Sequence, residues 1–417
     1  MKGAQKRIFY GIVLLSMLLS ALYLALRRGA GLEAFVFDGG GNLIGDFVNN
    51  LHYPTHEGGP YFDSCWASFP PLAYTVYYLI NVCITRAIYP FEVMVYMAIT
   101  ALSCMLMLGA VERIFRRWRP GGFRPGEPLA LCVCLLLSGV MVYTIERGNS
   151  ALNVMVMILW AFALRDSERP WERELALLLI AVAAGFKVYP CIFGLLYLFE
   201  RRWREAARLV VYGVALFFVP FLWFGGLAGL RQFFLNHQEI HGMLRDDYLT
   251  SLPSAAGYLA AEFGWDGAAA LAVGKVLAAL LAAAELACIV LEKRLWLRCL
   301  LMVSLFILVP GWSAEYMAVY MALPLVLCVC QGGGGKLGGW YMALFGLIFV
   351  LLPFGTPFET HVPLSWNMLI SFAAIYLISL TAMCDTLGTW LRARRGAAGV
   401  SARVEKARLR RSFPPDA

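Results

Sequence analysis

An all-α protein threaded repeatedly through a membrane is the fold class this sequence predicts, and three observations predict it. Hydrophobic residues make up 60% of the chain and charged residues 15%, where soluble domains carry roughly 45–50% and about 25%. Apolar runs long enough to cross a hydrocarbon core of about 30 Å recur from one end of the chain to the other. The basic residues then gather in the short stretches between those runs, as the positive-inside rule requires. At 417 residues, length alone would suggest about two or three soluble domains, but no polar stretch here is long enough to fold as one.

The first apolar run, "IFYGIVLLSMLLSALYLAL" at 8–26, is too long for the core of a signal peptide, and the "RRGAG" after it is a poor cleavage site. It reads as a retained first span, followed by a long outer loop at 27–90. Taking 69–88 as the next crossing would put Arg113, Arg116, Arg117, Arg119 and Arg124 outside, against the positive-inside rule. The conflict disappears if 69–88 lies in the membrane interface. Pro70 and Pro71 at its start, with Tyr74, Tyr77, Tyr78 and Tyr89 along it, suit such a position.

The same rule shapes 174–200. "RDSERPWER" precedes it and "ERRWREAAR" follows it, and both read as cytoplasmic. The stretch must go out and return, turning at "GFKVYP", where Pro190 disfavours helical geometry at Tyr189. A hairpin with such short arms is tolerable only where protein or water covers its tip. The expected crossing segments are then 8–26, 91–112, 129–145, 150–165, 174–187, 189–200, 206–224, 268–291, 295–311, 314–330, 337–353 and 364–387. Both termini fall in the cytoplasm of a multi-pass cell-membrane protein. Residues 1–391 form the membrane domain, with a second long outer loop at 225–267. Residues 392–417 form a basic cytoplasmic tail expected to be disordered and drawn to anionic lipid head groups.

Composition also narrows the function classes. The 11 cysteines lie almost all inside apolar runs, with Cys65 in an outer loop and no CxxC pair, so no metal cluster or disulfide framework is indicated. The net charge of +8 sits where topology wants it and signals no nucleic-acid partner. "QGGGGK" at 331–336 is a flexible loop that does not fit the phosphate-cradling P-loop.

On this topology the polar chemistry is one-sided. The outer loops carry Asp38, Asp46, His52, His56, Glu57 and Asp63, then "ERGNS" at 146–150, then Lys187 and Tyr189 at the hairpin tip. All five histidines fall in such loops. A solute pathway would instead place ionisable groups deep in the spans; only Lys275 does so, shallowly enough to snorkel. An enzyme acting on a lipid-linked substrate at the outer surface fits better. It needs a base for an acceptor hydroxyl and cations for a departing phosphate. A first-loop Asp can supply the base, and Lys187 and Arg147, each at an outward turn, can hold the phosphate.

The residues then show a resemblance. "GDF…Y…GGPYFDSCWASFPPLAY" is similar to the first loop of glycosyltransferase family 87, polyprenol-phosphate-mannose-dependent mannosyltransferase-like proteins with the GT-C fold. "ERGNSALNVMVMILWAFAL" is similar to that family's Gly-Gln-x-Asn segment, with "RGN" replacing the Gly-Gln pair, and makes Asn149 and Asn153 candidates. "AVAAGFKVYPCIFGLLYLFERRWREA" resembles its Lys-x-Tyr-Pro segment most closely, and "PGWSAEYMAVYMALPLVL" resembles a late helix. The resemblance covers roughly residues 30 to 330. It implies a GT-C fold of about 12 transmembrane helices with interfacial helices in the first outer loop. It further implies an extracytoplasmic hexosyltransferase moving a sugar, mannose foremost, from a polyprenyl-phosphate donor to a cell-envelope glycan or glycolipid acceptor. No cofactor is then required, while a divalent cation at Asp46 stays compatible with the pattern.

The resemblance lifts Asp46 above Asp38 and Asp63 as the catalytic carboxylate, although Asp46 is also well placed to cap a helix. Lys187 and Arg147 are the expected phosphate contacts, Arg147 having a salt bridge to Glu146 as its plainer role. Asn149, Tyr189, His52 and Glu315 complete the candidate site, Tyr189 and Glu315 having structural roles as alternatives. Trp312 reads as an interface anchor. "HQEIH" places His237, Glu239 and His241 on an outer amphipathic helix; it is not the zinc-protease order, and a solvated helix face is the expected role. The rival functions are a flippase, polymerase or ligase of lipid-linked glycans, or a non-catalytic relative of the GT-C enzymes.

Overall fold

The computed structural model describes residues 3–29, 43–119, 121–243, 249–311, 313–333, 335–356 and 364–412, with side chains of 241 and 396–412 left aside. Asp38, Trp312 and the last five residues of the tail lie outside the described residues. Among the described residues the fold is all-helical, its one β feature an isolated bridge between Gly355 and Ser365.

Among the described residues five helices are long and apolar enough to cross a membrane: Gly3–Leu26, Tyr89–Trp118, Trp203–Leu222, Gly267–Leu291 and the Trp366–Arg395 stretch. Two bent pairs raise that number to seven if each is one span. Leu14, Leu15, Leu18 and Leu22 of the first helix are exposed, as a helix facing lipid rather than water allows.

The expected uninterrupted crossing at 129–145 is broken. Helices Glu127–Leu136 and Gly139–Glu146 meet at 61°. Ser138 causes the break: its hydroxyl accepts from Met141 N–H as an N-cap and donates to Leu135 O at 2.6 Å. The crossing expected at 314–330 likewise opens with a 3-10 segment, Glu315–Met321, before the α-helix Ala322–Gln331.

The hairpin at 174–200 turns where expected. Its first arm is longer than expected, a 17-residue helix Pro170–Phe186 with Pro170 in the first turn, where a missing N–H costs nothing. The return arm, Tyr189–Phe199, is half 3-10 helix. The two basic stretches flanking the hairpin meet: Arg202 bonds Asp166 at 2.7 Å, and Arg165 pairs with Glu200. At that end, Arg113 also pairs with Glu172.

The segment at 69–88 is a helix, Pro71–Ile80, closed by a wider turn at Asn81–Thr85. Tyr74 and Tyr77 are buried rather than spread along an interface. They pack on the first loop, Tyr74 against Tyr61 and Tyr77 against Phe47.

The last helix runs without a break from Trp366 to Ser412, so most of the tail expected to be disordered is helical. Its Ala, Arg, Leu, Glu and Lys residues are strong helix formers, and no proline interrupts it before Pro414.

Candidate active site

The site begins with a glycine. Gly148 has φ +71°, and a Cβ there would fall 2.9 Å from Ile44 Cα, Ile44 O and Phe47 Cβ. Only glycine lets residues 146–149 lie flat against the start of the Gly45–His52 helix. Two backbone hydrogen bonds then lock the strips together: Ile44 N–H to Glu146 O at 2.6 Å and Asp46 N–H to Arg147 O at 2.9 Å. Asp46 is thereby held in the first turn of its helix, where a negative charge is favoured.

The same docking gives the Asp46 carboxylate two donors. Arg147 Nη2 reaches Oδ1 at 2.9 Å and Asn149 Nδ2 reaches Oδ2 at 2.7 Å. Asn149 is 3% exposed, and its Oδ1 accepts from Ala151 N–H at 3.0 Å, which fixes which end of the amide faces Asp46. Asp46 keeps a 19% exposed side chain, so the oriented carboxylate still opens to solvent. Arg147 is paired with Asp46, and Glu146 is buried with, among the described residues, no hydrogen bond to either carboxylate oxygen.

Lys187 lies in the turn beyond Phe186, outside the helix, and is 5% exposed. Its ammonium sits over the rings of Phe69 at 4.5 Å and Tyr316 at 4.8 Å. Among the described residues no carboxylate stands within ion-pair distance of it. Burial pushes its pKa down to about 8, and the Asp46 charge acts to raise it. Lys187 lines a cavity of about 230 Å³ with Phe69, Tyr189, His237, Ser313 and Tyr316. A buried cation facing a cavity with aromatic walls is a ready place for an anion.

The other sequence candidates divide. Tyr189 lines the cavity, stacked on Phe306 at 5.1 Å and edge-on to Tyr320. Glu315 is buried at the start of its 3-10 segment, and it is its neighbour Tyr316 that reaches Lys187. His52 turns to Glu92 at 2.8 Å. Asp63 is half exposed and pairs with His56. Asn153 bonds Ser103 at 2.8 Å, away from Asp46. Among the described residues no three His, Cys, Asp or Glu side chains gather as metal ligands.

Sequence reasoning did not find the aromatic box of Phe69 and Tyr316, nor Ser313, and it read His237 as a solvated helix face. No local pattern marks them, because four separate segments build the cavity.

Helices of membrane-crossing length, with an oriented carboxylate and a buried cation, suit the class of membrane glycosyltransferases. Glycosyltransferase family 87 matches residues 68–310, more than half of the chain, and the protein belongs to that family. The match contains Arg147, Asn149, Lys187 and Tyr189, while Asp46 and Glu315 fall outside it. No curated protein and no solved structure matches the chain.

Proposed function

We propose that the protein moves a sugar, mannose foremost, from a polyprenyl-phosphate donor to a hydroxyl of a cell-envelope glycan or glycolipid. The observation that carries this reading is Lys187, a buried ammonium with aromatic neighbours and, among the described residues, no carboxylate partner, whose charge feels that of Asp46. Asp46 takes the proton of the acceptor hydroxyl as its oxygen attacks the anomeric carbon. The bond from that carbon to the donor's phosphate oxygen breaks, and the electron pair stays on the phosphate. Lys187 stabilises the charge that builds there. Arg147 and Asn149 hold the Asp46 carboxylate in one orientation, so no reorganisation is needed at the moment of transfer.

In this reading the chain crosses the membrane twelve times in a GT-C arrangement, both termini are cytoplasmic, and the site opens on the extracytoplasmic side. The meeting of the flanks of the 174–200 hairpin at the end of the Pro170–Phe186 helix remote from Lys187 supports that parity.

The test is donor choice. Membranes containing the protein are supplied with labelled mannose on polyprenyl phosphate or on a nucleotide. Transfer from the lipid donor alone is expected. Direct transfer from the nucleotide donor, with lipid-linked intermediates blocked, would sink the reading.

A further inference from the structure

The Gly338–Ile348 helix and the long helix that begins at Trp366 leave a groove of about 710 Å³ between them, which the reaction above does not use. Leu337 and Trp340 line it from one side and Leu377, Leu380 and Leu391 from the other, all five exposed. On the long helix its lining residues 377, 381, 384, 388, 391 and 395 recur every three or four positions, so they share one face. Gly388 deepens that face, since a Cβ there would meet no atom within 4 Å.

The polar groups of the groove divide into two kinds. Asp385, the carboxylate in its lining, is already paired: it accepts from Arg294 Nη1 at 2.8 Å and from Tyr341 OH at 3.4 Å. Trp340 Nε1–H is used as well, on Thr381 Oγ1 at 3.1 Å. Past Gly388 the groove ends between Arg392 and Arg395, both exposed. Arg392 donates to Gly388 O at 3.1 Å and to Thr389 Oγ1 at 3.3 Å, which leaves most of its five donors open. Neither arginine has a carboxylate partner among the described residues. Arg394, by contrast, stacks on Trp390 at 4.3 Å.

An occupant must therefore be apolar from Leu377 to Gly388 and anionic beyond it. That apolar length is about 16 Å at 1.5 Å per residue, half of a hydrocarbon core of about 30 Å and so the depth of one leaflet. The basic end lies where the first helix begins: Gln5 Nε2 bonds Gly335 O at 3.3 Å, two residues before Leu337. Lys6 and Arg119 share Glu127 at that same end. Clustered basic residues beside a membrane span are drawn to anionic lipid head groups.

We infer that the groove is a binding site for one anionic glycerophospholipid. An acyl chain lies along Leu377, Leu380 and Trp340, and the head-group phosphate accepts from Arg392 and Arg395. Charge complementarity selects this occupant. An apolar protein segment would leave two guanidinium groups unanswered, and a zwitterionic lipid would bring its own cation against them. The inference goes beyond the transfer reaction and does not depend on its donor.

Trp340 gives the site a local readout. The full chain in non-ionic detergent is titrated with phosphatidylglycerol and with phosphatidylcholine carrying the same brominated acyl chains. The fluorescence quenching that disappears in Trp340→Phe is followed. Half-quenching by phosphatidylglycerol is expected at a lipid fraction lower by about tenfold or more, each basic side chain near an anionic head group contributing roughly fivefold. Arg392→Gln combined with Arg395→Gln should remove that difference and leave quenching by phosphatidylcholine as it was. Both side chains are exposed, so the variant is expected to fold. Gly388→Leu fills the groove without a clash and should weaken Trp340 quenching by both lipids. Arg403→Gln combined with Arg408→Gln, in the tail beyond the groove, should keep the difference intact. Equal half-quenching by the two lipids in the wild type overturns the site. A preference that survives the loss of Arg392 and Arg395 overturns it too, whether or not the tail pair carries it instead.

Discussion

Arg165 and Lys187 are both buried cations, 3% and 5% exposed, on either side of the Pro170–Phe186 helix, and they are built in opposite ways. Arg165 pairs with Glu200 and Asp166 and packs beside the rings of Phe162 and Tyr197. Lys187, about 25 Å away along that helix at 1.5 Å per residue, has rings and, among the described residues, no carboxylate against it. Burying a charge is tolerable only with compensation. At Arg165 the chain supplies the counter-charges, which points to a structural role. At Lys187 the proposed function leaves much of the compensation to a ligand, and a cavity lies beside the ammonium.

The comparison can be broken by exchanging the two behaviours. Arg165→Ala empties the space beside Phe162 and Tyr197 and takes one partner from Glu200 and Asp166, which keep Arg202, and should lower the unfolding free energy by about 1–3 kcal/mol. Thermal unfolding in detergent measures it, and the donor KM of the surviving protein should not move. Lys187→Met should do the reverse: stability is kept, and transfer falls by roughly 10²–10³, the usual loss for a group that stabilises developing charge. A Lys187→Met protein that unfolds while keeping its specific activity would erase the distinction.

Gly148→Ala probes how firmly Asp46 is held. A Cβ 2.9 Å from three atoms of the first loop, in a left-handed conformation that costs other residues about 1–3 kcal/mol, should push the two strips apart. We expect a drop in kcat with donor affinity nearly kept. Equal kcat would mean that the contact to residues 44–47 does not position the base.

The smallest effect expected is that of pH. Burial lowers the Lys187 pKa to about 8, so its charge is present below that pH and is lost as the pH rises through it. Donor affinity should therefore weaken about tenfold for each unit above 8, measured as KM between pH 7 and 9.5. Lys187→Arg, whose side chain stays charged throughout, should flatten the profile.

How much of this was legible in the sequence differs between the same two regions. The hairpin was legible because basic runs flank it and Pro190 marks its turn, both of which are local signals. Asp46, Arg147, Asn149 and Lys187 were also legible as residues. Their pairing was not: Arg147 and Asp46 are 101 positions apart, and the contact depends on a left-handed Gly148 that reads in the sequence as one glycine among 39. Arg147 was expected at a phosphate and is found on the carboxylate for that reason. Ser313 and His237 carry no periodic or motif signal, because their meaning comes from a cavity to which several segments contribute. The bend at Ser138 and the helical tail were within reach, since a Ser-Gly pair and a run of strong helix formers are ordinary signals.

The most direct test of the central claim is transfer from labelled polyprenyl-phosphate mannose in membranes holding matched amounts of wild type and Asp46→Asn. The account predicts product from the wild type and a loss of at least about 10²-fold in the variant, with both proteins in the membrane at equal levels. Equal product from the two would contradict it and remove Asp46 as the base.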